Sequence, residues 1–336
     1  MIPVSAAPLN TTPSWQAALR DAIREPGDLI GLLGLPESML EAAHAASRDF
    51  RLLVPRGYAA RMRHGDPHDP LLLQVLPQGS ERIAFPGYVS DPVGDLAAEA
   101  APGVLHKYHG RVLLITTGAC AVHCRYCFRR HFPYADSNPA RGAWREALDY
   151  LRTHPQVDEL ILSGGDPLVL DDDKLSALVR ELERIPHLRR LRLHTRLPIV
   201  LPERIDDALL DWVRDSSLKI VCVVHANHAN ELDDAVERAL RRLRDAGAEL
   251  LNQSVLLRGV NDSAQELGRL SDRLFNCGVL PYYLHLLDPV AGAAHFHVGD
   301  REARAIVKTL RDRLPGYLVP RLVREEAGAP AKTPAA

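Results

Sequence analysis

The sequence predicts an α/β fold built on a parallel sheet, and three observations predict it. From about residue 112 onward, six short β-rich apolar segments alternate with six stretches of helical period. Strand-then-helix units in series imply parallel strands joined by right-handed crossovers. Nearly every strand-like segment ends in polar residues, as the ligand-bearing edge of such a sheet does. Periodicity leaves open whether the sheet is open and doubly wound or curved into an incomplete barrel.

The first 110 residues differ from the rest. Stretches 14–24 and 36–46 have helical period, whereas 64–72 (HGDPHDPLL) and 85–92 read as loops, so this part is expected to form an N-terminal helical layer. The strand candidates follow at 112–117, 160–162, 191–196, 218–224, 250–257 and 279–287. Helices are expected near 140–153, 172–185, 203–213, 231–246, 262–276 and 300–313. Asp171–Asp173 and Asn261–Asp262 supply cap-type residues at two of the starts, and Gly247 stands where a helix C-terminus favours glycine. The Ala-, Pro- and Gly-rich stretch from Ala327 (AGAPAKTPAA) has the composition of a disordered tail. The expected divisions are 1–105, 106–314 and 315–336.

Composition narrows the classes of function. The chain has 336 residues, 41 Lys plus Arg against 43 Asp plus Glu, and a net charge of −2, so no charge excess points to nucleic acid or a membrane surface. With 46% hydrophobic and 25% charged residues it has the balance of a soluble globular chain. No stretch approaches the roughly 20 apolar residues of a membrane span, and no secretory signal is visible. Three of the five cysteines fall within eight residues, which makes a poor disulfide framework and a better metal or cluster site in a reducing compartment. A cytoplasmic location is expected. Cys222 and Cys277, isolated in apolar segments, read as small buried residues.

The run Cys120-Ala-Val-His-Cys124-Arg-Tyr-Cys127 follows the first strand directly. Three thiolates on one tight loop can bind three irons of a [4Fe–4S] cube and leave the fourth iron open. A zinc site is the competitor, with His123 or His131 completing a tetrahedral set. Ser163-Gly164-Gly165-Asp166 ends the second strand; its glycines let backbone approach a ligand and expose N–H groups, though alone the tetrapeptide also reads as a tight turn.

This cysteine spacing at the end of a first strand resembles the radical S-adenosylmethionine (radical SAM) superfamily. The segments CRYCFRRHF, LSGGDPL, VVHANHANE, NQSVLLRGVND, PYYLHLLD and AKTP further resemble the lysine 2,3-aminomutase family, over about 105–334. The resemblance implies a partial (β/α)6 TIM-like barrel with an N-terminal helical extension. It implies a radical SAM isomerase that also uses pyridoxal 5′-phosphate (PLP) and moves the amino group of L-lysine from C2 to C3.

By position, the resemblance makes Cys120, Cys124 and Cys127 the cluster ligands. Tyr126, Ser163, Gly164, Gly165, Asp166, His225 and Gln253 become S-adenosylmethionine contacts. Lys332 would bind PLP covalently, with Lys107, Tyr108 and Arg111 on its phosphate. Arg129 would clamp the substrate α-carboxylate, and Asp288 with Glu325, or the adjacent Glu326, the ε-ammonium. The chain stops soon after Lys332, without the cysteine-rich zinc-binding region of the longer enzymes, and has Ser263 where those carry cysteine. The short form resembles the aminomutase that makes (R)-β-lysine for translation elongation factor P. Expected partners are L-lysine, a flavodoxin- or ferredoxin-type electron donor, and a functional link to elongation factor P and its lysyl-ligase. A free-standing β-lysine producer, a radical SAM enzyme of other chemistry without PLP, and a non-catalytic zinc-binding protein are the alternatives.

Overall fold

A computed structural model describes residues 14–134 and 144–335. Its framework is one ten-stranded sheet in which spatial order follows chain order. The strands are β1 (Glu99–Ala101), β2 (Val104–Tyr108), β3 (Arg111–Thr117), β4 (Glu159–Gly164), β5 (Arg190–Thr195), β6 (Lys219–Val224), β7 (Glu249–Val255), β8 (Leu280–His285), β9 (Arg321–Arg324) and β10 (Thr333–Pro334). From β3 to β9 all neighbours are parallel. Antiparallel pairs extend both ends, β1–β2–β3 on one side and β9–β10 on the other. The order runs from β1 to β10 without closing on itself, which makes the body a partial barrel with helices outside and a cavity inside.

All six expected strands form, but β9 adds a seventh parallel strand. It has only four residues, RLVR, too few to show an alternation, and it is held by its register with β8, Tyr283 opposite Arg321. The β1–β2 hairpin turns at Gly103 (φ +71°) within a segment that has no strand period. The boundary expected at 105/106 therefore lies inside β2, and the 315–336 segment contributes two strands to the same sheet.

The helices lie where the period places them, at Arg145–Thr153, Asp172–Glu183, Asp207–Asp215, Asp234–Asp245, Ala264–Asn276 and Asp300–Arg313; residues 140–143 of the first expected helix lie outside the described residues. One cap differs from expectation. The Ser263 hydroxyl, rather than Asn261 or Asp262, accepts from Glu266 N–H at 3.1 Å. Asn261 is buried and bonds instead to Leu257, Asn227 and Val255 backbone groups, fixing the turn after β7. Gly247 takes φ +100° after its helix, where a side chain would be strained.

Along β5 the burial alternates: Leu191 and Leu193 pack into the outer core while Arg192 and His194 line the cavity. One apolar core runs without interruption from the N-terminal layer (Trp15, Leu29, Tyr58, Leu72) through the strands from β3 to β7, and a second (Leu267, Leu284, Val307, Leu322) underlies β8 and β9. The N-terminal layer is thus a wall of the barrel.

The end of the chain corrects the expectation drawn from its composition. Residues 333–334 pair with β9, Ala335 N–H reaches Leu322 O at 3.0 Å, and the Thr333 hydroxyl donates to Glu326 at 2.7 Å. Backbone pairing needs no apolar side chains, so composition could not reveal it.

Candidate active site

The loop after β3 carries the three cysteines and is pinned by backbone bonds on two sides. His123 N–H reaches Leu53 O at 3.1 Å and Arg125 N–H reaches Gln74 O at 3.0 Å, both in the N-terminal layer. On the other side, Gly165 N–H donates to Thr117 O at 2.7 Å and Asp166 N–H to Ala119 O at 2.8 Å. The two glycines of Ser163–Asp166 are required by this crossing. A Cβ on Gly164, which has φ +124°, would lie 2.5 Å from Thr117 O, and one on Gly165 would lie 2.1 Å from Ala119 O. Both obstacles are backbone and cannot swing aside. Gly165→Ala should therefore unseat the cysteine loop at a loss of roughly 3 kcal/mol or more, seen as a lower Tm together with lost iron binding; a variant with unchanged Tm would contradict it.

Asp166 is buried and both carboxylate oxygens are engaged, by Leu168 N–H and the Thr195 hydroxyl on one and Arg196 N–H on the other. Burial pushes its pKa up to about 6 against those bonds. Its side chain ties β4 to β5, leaving the turn's backbone to face the cavity. Among the cysteines, burial raises the Cys120 thiol strongly and takes Cys127 to about 11, with neighbouring thiols adding to both shifts. Such thiols ionise readily only against a compensating positive centre. Arg196 Nη1 donates to the Cys124 sulfur at 2.8 Å.

His123 and His131 do not complete a metal set. Their ring nitrogens bond the backbone oxygens of Arg51 at 2.8 Å and Ala291 at 3.2 Å. Among the described residues no three His, Cys, Asp or Glu side chains are grouped to hold a metal ion. A mononuclear zinc wants its ligands converging on one centre, whereas a cube takes one thiolate at each of three irons. The donor set fits the cube.

Apart from Glu326, His123 and His131, the residues nominated from the sequence line one cavity of about 410 Å³ at the C-terminal ends of the parallel strands. Cys120, Cys124, Cys127, Tyr126, the Ser163–Asp166 turn, His225 and Gln253 share it with Lys107, Tyr108, Arg111, Arg129, Asp288, Glu325 and Lys332. Glu326 lies elsewhere, against Thr333. Of the two candidate acids at that point, Glu325 is the one in the cavity.

A chain of buried charges runs along the cavity lining. Arg129 Nε donates to Asp95 at 2.6 Å and its Nη1 to Ser163 Oγ at 3.1 Å. Asp95 also takes Lys107 at 2.6 Å, Lys107 lies 3.5 Å from Glu325, and Glu325 holds Lys332 Nζ at 2.6 Å. Burial would raise the Glu325 pKa, but Lys332 and Lys107 outweigh it and hold it at about 2. Lys107, expected on a phosphate, is here engaged by two carboxylates and by Val93 O. Arg111 stacks on the Tyr108 ring at 4.6 Å.

Asp288 is the unpaired acid. Its Oδ1 is shut from solvent without a partner, and burial, with Glu325 nearby, lifts its pKa to about 7. Gln253, His194 and His285 also carry an unpartnered buried nitrogen at the cavity wall. Arg192 Nε and Arg196 Nε are likewise unpartnered there; buried polar atoms are seldom left so, and such a group around one cavity suits a polar occupant. Burial, with nearby cations, keeps His194 and His285 well below the ordinary histidine range and His225 at about 4, so all three are neutral near pH 7.

The Asp288 shift has a sign in stability. An unfolded aspartate ionises near pH 4, while the folded one holds its proton to about 7, so this group costs stability increasingly as pH rises between those values. Asp288→Asn should raise Tm above pH 7, by an amount equivalent to roughly 1–4 kcal/mol, and the gain should vanish at pH 4. Equal Tm values at both pH values would contradict it.

Sequence reasoning missed Asp95, which lies in a loop (DPVGDLAA) without period and is legible only through its two cationic partners. His194, Arg196 and His285 were visible as polar strand ends, but nothing in sequence assigned them a role.

Comparison with known proteins agrees with this geometry. The radical SAM superfamily pattern matches residues 114–270. The L-lysine 2,3-aminomutase of Escherichia coli K12 is 51% identical over 96% of this chain and 95% of its own length. That of Haemophilus influenzae is 49% identical, covering 95% of each. That of Clostridium subterminale is 33% identical over 95% of this chain and 77% of its own. With three cysteines, a glycine turn and a charged cavity assembled on a partial barrel, and identity of this extent, the chain belongs to the L-lysine 2,3-aminomutase family of radical SAM isomerases.

Proposed function

We propose that the protein converts L-α-lysine to β-lysine, and that the product serves β-lysylation of translation elongation factor P. The observation that carries the substrate assignment is the set of charges lining one cavity: the Arg129 guanidinium, the Asp288 and Glu325 carboxylates, and Lys332 held between Glu325 and the Tyr283 ring. A diamino acid is the ligand that meets a guanidinium with its carboxylate and a pair of acids with its side-chain ammonium.

Enzymes of this family use a [4Fe–4S] cluster, S-adenosylmethionine and PLP. The cluster and S-adenosylmethionine supply a carbon-centred radical, and PLP supplies conjugation that stabilises the migrating nitrogen's radical. The chain's own residues do the rest. Cys120, Cys124 and Cys127 hold the cluster, and the backbone of the Ser163–Asp166 turn, with Tyr126, His225 and Gln253, receives S-adenosylmethionine. Lys332 Nζ holds PLP, with Tyr108 and Arg111 toward its phosphate. Arg129, kept rigid by Asp95 and Ser163, orients the substrate carboxylate. The neutral histidines add no competing charge, and the barrel wall keeps water from the reacting carbons. A low-potential donor of the flavodoxin or ferredoxin type supplies electrons. Among the described residues no helix is long and apolar enough to cross a membrane.

The test is anaerobic incubation of the reconstituted protein with L-lysine, S-adenosylmethionine, PLP and a strong reductant, followed by chiral chromatography. (R)-β-lysine from lysine, and no β-amino acid from glutamate, is the expected result; no β-lysine would refute the reading. Loss of the β-lysyl mass from elongation factor P in cells lacking this chain tests the physiological part separately.

A further inference from the structure

We propose that Arg196 is a positioning residue for the cysteine triad: its guanidinium fixes the Cys124 sulfur and raises the reduction potential of the cluster held there. The inference rests on the cluster assignment above. It is carried by how the two terminal nitrogens of this one side chain are committed. Arg196 ends the β5 turn, is 6% exposed, and its backbone N–H is tied to Asp166 Oδ2 at 2.7 Å. Its Nη1 faces Cys124 Sγ at 2.8 Å. Its Nη2 is shared by Glu231 Oε2 at 2.9 Å, Gln74 Oε1 at 2.7 Å and the Tyr58 hydroxyl at 3.2 Å. The rings of Tyr58 and Tyr126 flank it at 5.5 and 5.7 Å. Glu231 is in turn held by the N–H groups of Asn227 and His228.

Both terminal nitrogens of the guanidinium are engaged, Nη2 by the Glu231, Gln74 and Tyr58 oxygens and Nη1 by sulfur, while Nε is buried without a partner. A lysine ammonium is a single point and cannot span Cys124 and Glu231 together. Cys120 and Cys127 have no side-chain donor among the described residues. One corner of the triad therefore carries a directed, charge-assisted donor. Reduction adds one electron, from the external low-potential donor, to the cluster and its thiolates. Hydrogen bonds and positive charge at a cluster sulfur stabilise the added charge and raise the potential. A strut that merely joined the N-terminal layer to β5 would contribute stability and leave the potential alone.

The test is an equilibrium redox titration of the reconstituted protein, followed by the EPR signal of the reduced cluster, with iron content and Tm measured alongside. Arg196→Met should shift the one-electron equilibrium at least tenfold toward the oxidised form, 59 mV more negative, with Arg196→Lys between it and the wild type. Tyr58→Phe, which removes one strut contact and leaves the sulfur contact, should lower Tm without moving the potential. Should Arg196→Met fail to retain iron, Glu231→Gln decides: it keeps the guanidinium and removes the opposing charge, so the potential should rise. An unchanged potential in iron-replete Arg196→Met, or in Glu231→Gln where that variant decides, overturns the proposal. A wild type with no EPR-active cluster would overturn the underlying cluster assignment as well.

Discussion

Serine in place of Cys124 should abolish turnover and strip the protein of most of its iron while leaving the fold in place. The two side chains are nearly equal in size, and the loop around residue 124 is held by backbone bonds to Leu53 and Gln74 that do not involve the sulfur. The expected stability change is within about 1 kcal/mol. What is lost is chemical: a hydroxyl is a far weaker iron ligand than a thiolate, and two anchored irons do not define a single open fourth corner. Product formation from lysine should fall below detection, iron per chain should drop, and the circular dichroism spectrum should match the wild type. Wild-type iron and turnover in this variant would remove Cys124 from the ligand set.

The second large effect is expected at Lys332. Lys332→Ala and Lys332→Arg should each reduce turnover by about 10³-fold or more, since neither can bind PLP covalently. Borohydride should fix PLP to the wild type alone. The two variants should differ in stability. Arginine can keep the ion pair with Glu325, whereas alanine leaves a buried carboxylate with Lys107 at 3.5 Å and Tyr108 as its remaining partners. The loss in Lys332→Ala should be about 1–3 kcal/mol at neutral pH. Its sign follows from the shift. Glu325 folds with a pKa near 2, below the ordinary value, so its contribution is full above about pH 4.3 and is lost as pH falls toward 2. The alanine variant's Tm deficit should shrink over that same interval. Covalent PLP retained in Lys332→Ala would relocate the cofactor's lysine.

Much of the barrel was legible because its signals are local. Segments such as VLLITT and LSGGD announce both strand and edge, and the long helices have clear period. The elements that escaped are those whose identity is relational. β9 is four residues defined by its neighbour, and β10 is two residues in a stretch whose composition argues against order. The same division holds at the cavity. The cysteine spacing and the glycine turn could be read from the chain, although the turn's glycines answer first to the backbone of the cysteine loop. Asp95 could not be read, because an aspartate in an aperiodic loop is unremarkable until Arg129 and Lys107 are seen on either side of it.

The cavity wall draws on Val93 and Asp95 of the N-terminal layer, on the strands β2, β3, β4, β5, β7 and β8, on His225 and Glu325 just past β6 and β9, and on Lys332 beside β10, while Tyr58 and Gln74 hold Arg196 from behind. Such a barrel is not a portable cassette. Recombination that exchanged either flank for that of a distant relative would separate Asp95 from Arg129, or Glu325 from its lysine, even if every strand still paired. Change in a molecule of this kind is confined to point substitutions that respect contacts between its two ends, so its beginning and its end must drift together.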